Sequence, residues 1–350
     1  MFKADWSLPE PTQDKYSESL LSGATSFGDT AVVTIARSGG EGFDLPRDVN
    51  AETSNYPYFS YTNNSDEYAD FEDGQGYLEL TRPEKDMIEL AKQTSDKTVV
   101  VINAANAFEL GDLQDDPEID AIVWAIPGGQ VGFNALGRIL DGEVNPSAET
   151  PDTFARDIKS GPAANNFGDF QYTSMTEFAQ DDPFNKGAQT QPSFVNDNDS
   201  IYVGYRWYET AAAEGVIDYA SEVVYPFGFG LSYTTFSQSM GDISVDEASG
   251  AMTADVTVTN TGQVAGKDVV QIYDNPPYTD GGIEKAAANL LSYEKTKLLE
   301  PGETQTITVT WNRDSLASYD AKDAKAYVLE AGNYKISARA NSHELRDERR

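Results

Sequence analysis

The hydrophobic pattern changes character once along the chain, near Phe236. Upstream lie continuous apolar runs at 31–36 (AVVTIA), 98–103 (TVVVIN) and 120–126 (DAIVWAI). Such runs fit strands buried on both faces. Helical signals separate them. Thr81 can cap a helix, Pro83 falls in its first turn, and Glu84 completes a capping box. The spacing predicts a helix over 83–93, with Met87, Leu90 and Ala91 on one face. A second helix follows Gly128-Gly129, with Leu136, Ile139 and Leu140 turned inward and an end near Gly142. Strands alternating with helices predict βαβ units and a largely parallel sheet. Downstream of Phe236 only short strands are legible, at 253–259, 268–273, 306–311, 325–329 and 334–338. Asn260-Thr261-Gly262, Pro301-Gly302 and Ala331-Gly332 mark turns between them. That half reads as an antiparallel β-sandwich. The fold class is therefore α/β with a largely parallel sheet, followed by an all-β sandwich.

The connecting segments have their own character. Residues 1–29 read as a lead-in with a short amphipathic helix near 16–21, residues 47–76 as a long surface loop, and 145–200 as loop-rich. Two aromatic, glycine-punctuated stretches stand at 201–209 (IYVGYRWYE) and 225–236 (YPFGFGLSYTTF). Packing is their first reading, which makes Tyr202, Tyr205 and Trp207 core candidates; stacking on sugars is the second. The charged end, 344–350, is expected to fray.

Composition removes several classes of function. The 350 residues carry 58 acidic and 25 basic side chains, a net charge of -33. Such a chain repels nucleic-acid phosphates and anionic membrane surfaces, so neither is an expected partner. Without cysteine there is no disulfide, thiolate metal site or cysteine nucleophile. A lone histidine, His343, rules out a two-histidine metal site within one chain, and its place near the charged end predicts a merely exposed side chain. Acidic runs such as Asp181-Asp182 lack EF-hand spacing. No metal or other cofactor is expected, and carboxylates are the natural catalytic groups. No run reaches the ~18–20 apolar residues of a membrane-spanning helix, and the N-terminus lacks the apolar centre of a signal peptide, so a soluble chain is expected.

In parallel sheets, ligands sit at the carboxyl ends of the strands. The loops holding Glu41, Asn103 to Asn106 and Gly128 to Gln130 all follow strands and should share one rim. Glu41 sits between Gly40 and Gly42, glycines that let a backbone approach a ligand closely. Arg37 can hold a carboxylate or a sugar hydroxyl, or equally form a structural ion pair. Asp44 can orient the loop by accepting backbone N–H bonds, or be a turn aspartate. Gln130 stands either near substrate or at the start of the next helix.

Five stretches, taken in order, carry a resemblance. They are ARSGGEGFDLP at 36–46, WAIPGGQVGFNALGRILDGEVNPS at 124–147, IYVGYRWYE at 201–209, YPFGFGLSYTTF at 225–236, and VTNTGQVAGKDVVQIY through KTKLLEPGET at 258–304. In combination these resemble the non-barrel modules of glycoside hydrolase family 3, the β-glucosidase and β-xylosidase family. The resemblance implies a lead-in at 1–27, a three-layer α/β-sandwich domain at 28–232, a fibronectin type III-like domain at 233–342 and a tail at 343–350. It implies Glu41 as the acid/base, with Arg37, Asp44 and Gln130 as substrate-binding candidates. Family members also have a (β/α)8 barrel bearing the nucleophilic aspartate, and no such barrel fits in this chain. The Asp44-Leu45-Pro46 loop and the 273–289 segment are similar to the branch in which the barrel follows the fibronectin-like domain, which would put it beyond Arg350.

Two departures from the family pattern stand out. After Asn145-Pro146-Ser147, relatives usually have glycine and a basic residue, where this chain has Ala148-Glu149. Before Ile201 they usually have Glu-Gly, where this chain has Asp199-Ser200. A lost glycine imposes strain wherever φ must be positive.

The implied function is the non-barrel part of a retaining β-glycosidase. Such an enzyme uses two carboxyl groups about 5–5.5 Å apart. Its partners would be an oligosaccharide or β-glycoside substrate and a (β/α)8 barrel on the same or another chain. Alone, the chain should be inactive. A second reading is a non-catalytic carbohydrate-binding or scaffold module.

Overall fold

The computed structural model describes residues 4–5, 10–39, 45–52, 59–63, 68–166, 172–182, 187–194 and 196–349. They form two compact units. One comprises Met1–Phe133 and Ala155–Asp197, the other Asn134–Phe154 and Asn198–Arg350.

In the first unit, helix α1 (Glu18–Phe27), capped by the Ser17 side chain, precedes strand β1 (Thr30–Ala36). Helix α2 (Arg82–Thr94), strand β2 (Lys97–Asn103), the short helix α3 (Gly111–Asp115) and strand β3 (Ala121–Ala125) follow. The three strands form a parallel sheet in the order β1-β2-β3. Val33, Ile35, Val100, Val101 and Ile102 are buried in it, as is Ile88 of α2. Continuous apolar character predicts two-sided burial, and only the central strand β2 has it: in β1 burial alternates, with Val32 50% exposed, and β3 holds no buried residue, because both flank β2 at the edges of the three-stranded sheet. The capping box is present: the Thr81 hydroxyl accepts the Glu84 N–H, and the Glu84 carboxylate accepts the Thr81 N–H at 2.8 Å.

In the second unit, helix α4 spans Asn134–Leu140, as expected from the glycines before it, yet none of its residues is buried. Leu136 and Ile139 are half-buried and Leu140 is exposed, which corrects the expected inward stripe. Under two turns of helix cannot carry a continuous apolar face. Helices α5 (Tyr205–Ala213) and α6 (Tyr219–Glu222) come next. The sandwich follows, with strands β4 (Phe236–Val245), β5 (Ala251–Asn260), β6 (Val269–Asn275), β7 (Asn289–Lys295) and β8 (Thr304–Asn312). A hairpin, β9 (Ser318–Asp320) with β10 (Ala326–Val328), leads to β11 (Lys335–Arg339) and β12 (Leu345–Arg349). One sheet runs β4-β5-β8 and the other β7-β6-β11-β12. Their inner faces meet at Met240, Val256, Val258, Val270, Ile272, Leu299, Val309, Trp311 and Ile336.

Residues 345–349 of the charged end, expected to fray, form a strand. Strand β12 pairs antiparallel with β11, and the Asp347 carboxylate accepts the Met240 N–H at 2.9 Å. His343, just before it, is also more than an exposed side chain. Its ring stacks on Tyr219 with centroids 3.7 Å apart, and Nδ1 lies 3.0 Å from the buried Glu209 carboxylate. The aromatic stretches pack only in part: Tyr208 is buried, the core candidates Tyr202, Tyr205 and Trp207 are half-buried, and Leu231 and Tyr233 are exposed. Tyr205 stacks on Phe227 at 4.7 Å and meets Tyr273 edge-on at 6.1 Å.

Candidate functional site

The carboxyl ends of the three parallel strands are tied together. The Arg37 N–H donates to the Asn103 carbonyl at 3.0 Å, and Asn103 Nδ2 donates to the Ala125 carbonyl at 3.0 Å. These bonds join the strand ends from which the predicted rim would be built; of the loop after Arg37 only Ser38 and Gly39 are described before Glu41. The Ser38 N–H donates to the Tyr77 hydroxyl at 3.3 Å. Glu41 and Asp44 lie outside the described residues.

Arg37 is 7% exposed, and the second of its two readings is the one its geometry fits. Nη1 donates to Glu84 Oε1 at 2.5 Å and to the Ala36 carbonyl at 2.9 Å. Nη2 donates to Glu84 Oε2 at 2.6 Å and to the Glu79 carbonyl at 2.7 Å. Nε donates to the Tyr77 carbonyl at 2.8 Å. A guanidinium has five N–H donors, and all five are used, so none is left for a sugar hydroxyl. The Phe71, Tyr77 and Phe108 rings lie 5.8, 5.6 and 5.3 Å from its carbon. Burial works against the charge, but the Glu84 hydrogen bonds and charge outweigh it and push the guanidinium further up. Arg37 is the fixed root of the loop. Gln130 lies exposed in the turn after β3, four residues short of α4.

Sequence reasoning missed two groups here. Glu84 was legible as a capping residue, but nothing in its spacing announces that the same carboxylate pairs with Arg37. Glu109, in the loop after β2, is half-buried; burial pushes its carboxyl up to about 7, against the Ile158 N–H that it accepts at 2.9 Å. It carries no motif. Among the described residues no cluster of three or more His, Cys, Asp or Glu could hold a metal ion.

Both departures from the family pattern have structural consequences in the second unit. Ser200 takes φ +52°, the left-handed region that favours glycine. Glu149 is half-buried and accepts a hydrogen bond from Gln271 Nε2 at 3.2 Å. Burial and the nearby Asp268 charge push its carboxyl up to about 8, with Lys295 opposing.

Against known families, residues 20–233 match the glycosyl hydrolase family 3 C-terminal domain, well over half of the chain. The chain belongs to glycosyl hydrolase family 3. Residues 268–342 match the fibronectin type III-like domain that the strand pattern and the KLLEPGE segment imply. Among family 3 relatives, β-glucosidase A of Butyrivibrio fibrisolvens is 34% identical over 339 residues, covering 91% of this chain and 36% of its own length. A β-glucosidase of Ruminococcus albus is 31% identical over 325 residues, covering 92% of this chain and 28% of its own. The solved structure of β-glucosidase 3B from Thermotoga neapolitana, in complex with α-D-glucose, superposes with a TM-score of 0.71 at 27% identity, over 97% of this chain and 39% of that one. The chain thus spans about a third of the length of the curated relatives it matches. Its described residues are the non-barrel part of the family's architecture, an α/β domain with a parallel sheet and an all-β fibronectin-like domain, and they contain no (β/α)8 barrel. Among them no helix is long and apolar enough to cross a membrane.

Proposed function

We propose that this chain supplies the acid/base glutamate, Glu41, to a retaining β-glucosidase or β-xylosidase whose nucleophile sits on a (β/α)8 barrel of the same or another chain. The observation that carries the reading is the anchoring of Arg37. Four residues before Glu41 the backbone is held by a buried ion pair at the ligand-binding rim of a parallel sheet. A span of four residues reaches at most about 14 Å, so Glu41 stays within loop's reach of that root. Protonating a leaving oxygen requires a carboxyl raised in pKa, which burial against the barrel would supply. Asp44 orients the same loop, and Gln130 approaches substrate from the turn after β3. Arg37 serves as the anchor and not as a sugar contact. The names of the relatives support a β-glucoside as substrate. The domain division follows the family pattern, with the α/β domain ending near residue 232 and the fibronectin-like domain near 342. The chain works in solution.

The test is hydrolysis of aryl β-glucosides and β-xylosides by the chain alone and by the chain joined to a family 3 barrel. The joined form is expected to turn over, and the chain alone to be inactive. In the joined form Glu41→Gln should lower kcat by about 10²–10⁴-fold. The loss should be greater for a disaccharide than for a nitrophenyl glycoside, whose leaving group needs little protonation. Turnover by the chain alone would overturn the division of roles.

A further inference from the structure

We propose that the β9–β10 hairpin of the sandwich is a glycan-binding site, which takes a soluble, twisted chain of β-linked pyranoses of the xylan type. Tyr319 and Tyr327 are directly opposite each other on the two strands. Their ring centroids lie 5.4 Å apart with planes at 70°. Neither contributes to the core between the sheets; Tyr327 is 75% exposed and Tyr319 46%. The two rings meet edge to face, a contact that steadies the short hairpin and leaves their outer faces in water, which points to a use for those faces.

The base beneath the pair is fixed. The Asp320 carboxylate accepts the N–H groups of Lys322, Asp323 and Ala324, each at 3.0 Å, and Lys325 closes the turn at φ +50°. A ligand that stacks here therefore pays little to order the loop.

The shape and charge of the site select the ligand class. A β-linked pyranose with equatorial substituents offers flat C–H faces that stack on an aromatic ring while its hydroxyls stay hydrated. Planes inclined at 70° match a chain whose successive residues rotate about its axis; a flat cellulose ribbon would meet only one ring. The net charge of -33 disfavours polyanions, including acidic glycans, and leaves a neutral chain unpenalised. The choice of a glycan rests on the glycosidase reading above, but binding is read without turnover, so its failure would leave the role of Glu41 untouched.

Native electrophoresis of the whole chain through gels containing soluble xylan provides the test, with thermal unfolding as a check that each variant is folded. The wild-type chain should be retarded. Tyr327→Ala should bind at least about tenfold more weakly, a change of about 1.4 kcal/mol, while Tyr327→Phe keeps the stack and the retardation. The proposal is overturned by absence of retardation, by retardation of folded Tyr319→Ala and Tyr327→Ala equal to that of the wild-type chain, or by a preference for crystalline cellulose or polygalacturonate. Self-association of the chain that Tyr327→Ala abolishes, without xylan binding, would assign the face to a second copy and overturn it as well.

Discussion

Arg37 and Glu84, 47 positions apart, face each other through two parallel N–H···O bonds of 2.5 and 2.6 Å, with both side chains almost sealed from water. The same carboxylate caps α2, so one glutamate joins the end of β1 to the start of the helix. Removing one partner of a buried pair strands the other charge, at about 3–5 kcal/mol. Arg37→Met is therefore expected to lose about that much in urea unfolding. Arg37→Lys should also be damaging, since one ammonium cannot replace five donors in a fork. A loss under about 1 kcal/mol in Arg37→Met would show that the loop root does not depend on the pair.

Gly228 takes φ +78°, and a Cβ placed there would stand 2.2 Å from Gln271 Oε1. Gln271 cannot easily move. Its Nε2 donates to the Gly228 and Ala340 carbonyls at 2.9 and 3.0 Å, and its Oε1 accepts the Tyr273 hydroxyl at 2.8 Å. Gly228→Ala adds overpacking to a left-handed backbone and should cost about 2–4 kcal/mol. Gln271→Ala should remove most of the clash, so the double variant should be more stable than the sum of the singles. Simple additivity would show that the two sites are not in contact.

Much of this was legible in the sequence, for physical reasons that differ by element. The strands of the parallel sheet are apolar on both faces, and the helix after Thr81 carries its own start signal, so both could be read locally. Strand β12 could not. Its sequence, Leu345-Arg346-Asp347-Glu348-Arg349, has the composition of a solvated tail, and it is held by backbone pairing with β11 and by Asp347 and Arg349 bonding the backbone of Met240. Met240 lies 107 and 109 positions from these two residues, and the pairing with β11 is made by backbone groups that no side-chain pattern announces. The pairing of Arg37 with Glu84 was likewise open, because spacing along the chain does not say which buried charges meet. Leu140 misled in the other direction: its position on the helix was correctly placed, but a stripe becomes core only where something covers it.

Ser200 occupies a left-handed conformation at φ +52°, the region that favours glycine. A side chain there costs about 1–2 kcal/mol, and glycine gives back about 0.5–1 through the entropy of the unfolded chain. Ser200→Gly should therefore raise stability by about 0.5–1 kcal/mol, seen as a small increase in Tm. Ser200→Val, β-branched and without a local hydrogen bond to offer, should lower it. Equal or reversed shifts would mean that the backbone relaxes at this site.

Glu149 lies near Asp268, a half-buried carboxylate that burial raises and that Gln238 Nε2 holds at 2.8 Å. Lys295 is engaged with the Ser147 carbonyl at 2.5 Å and offsets the upward push on Glu149 only in part. Burial and Asp268 push the Glu149 carboxyl from the ordinary 4.5 up to about 8. Between those values the folded chain retains a proton that the unfolded chain releases, so Glu149 contributes stability at pH 4.5 that is lost as pH rises to about 8. Glu149→Gln keeps an acceptor for Gln271 and removes the titration. The denaturation midpoint of the wild-type chain should fall across this window more steeply than that of Glu149→Gln. Glu149→Lys goes further, since an ammonium beside Asp268 restores opposite charges, and it should exceed the wild type in stability at pH 8. Parallel pH profiles for wild type and Glu149→Gln would show that Glu149 ionises in the folded chain as freely as in the unfolded one, and that the substitution of acid for base is silent.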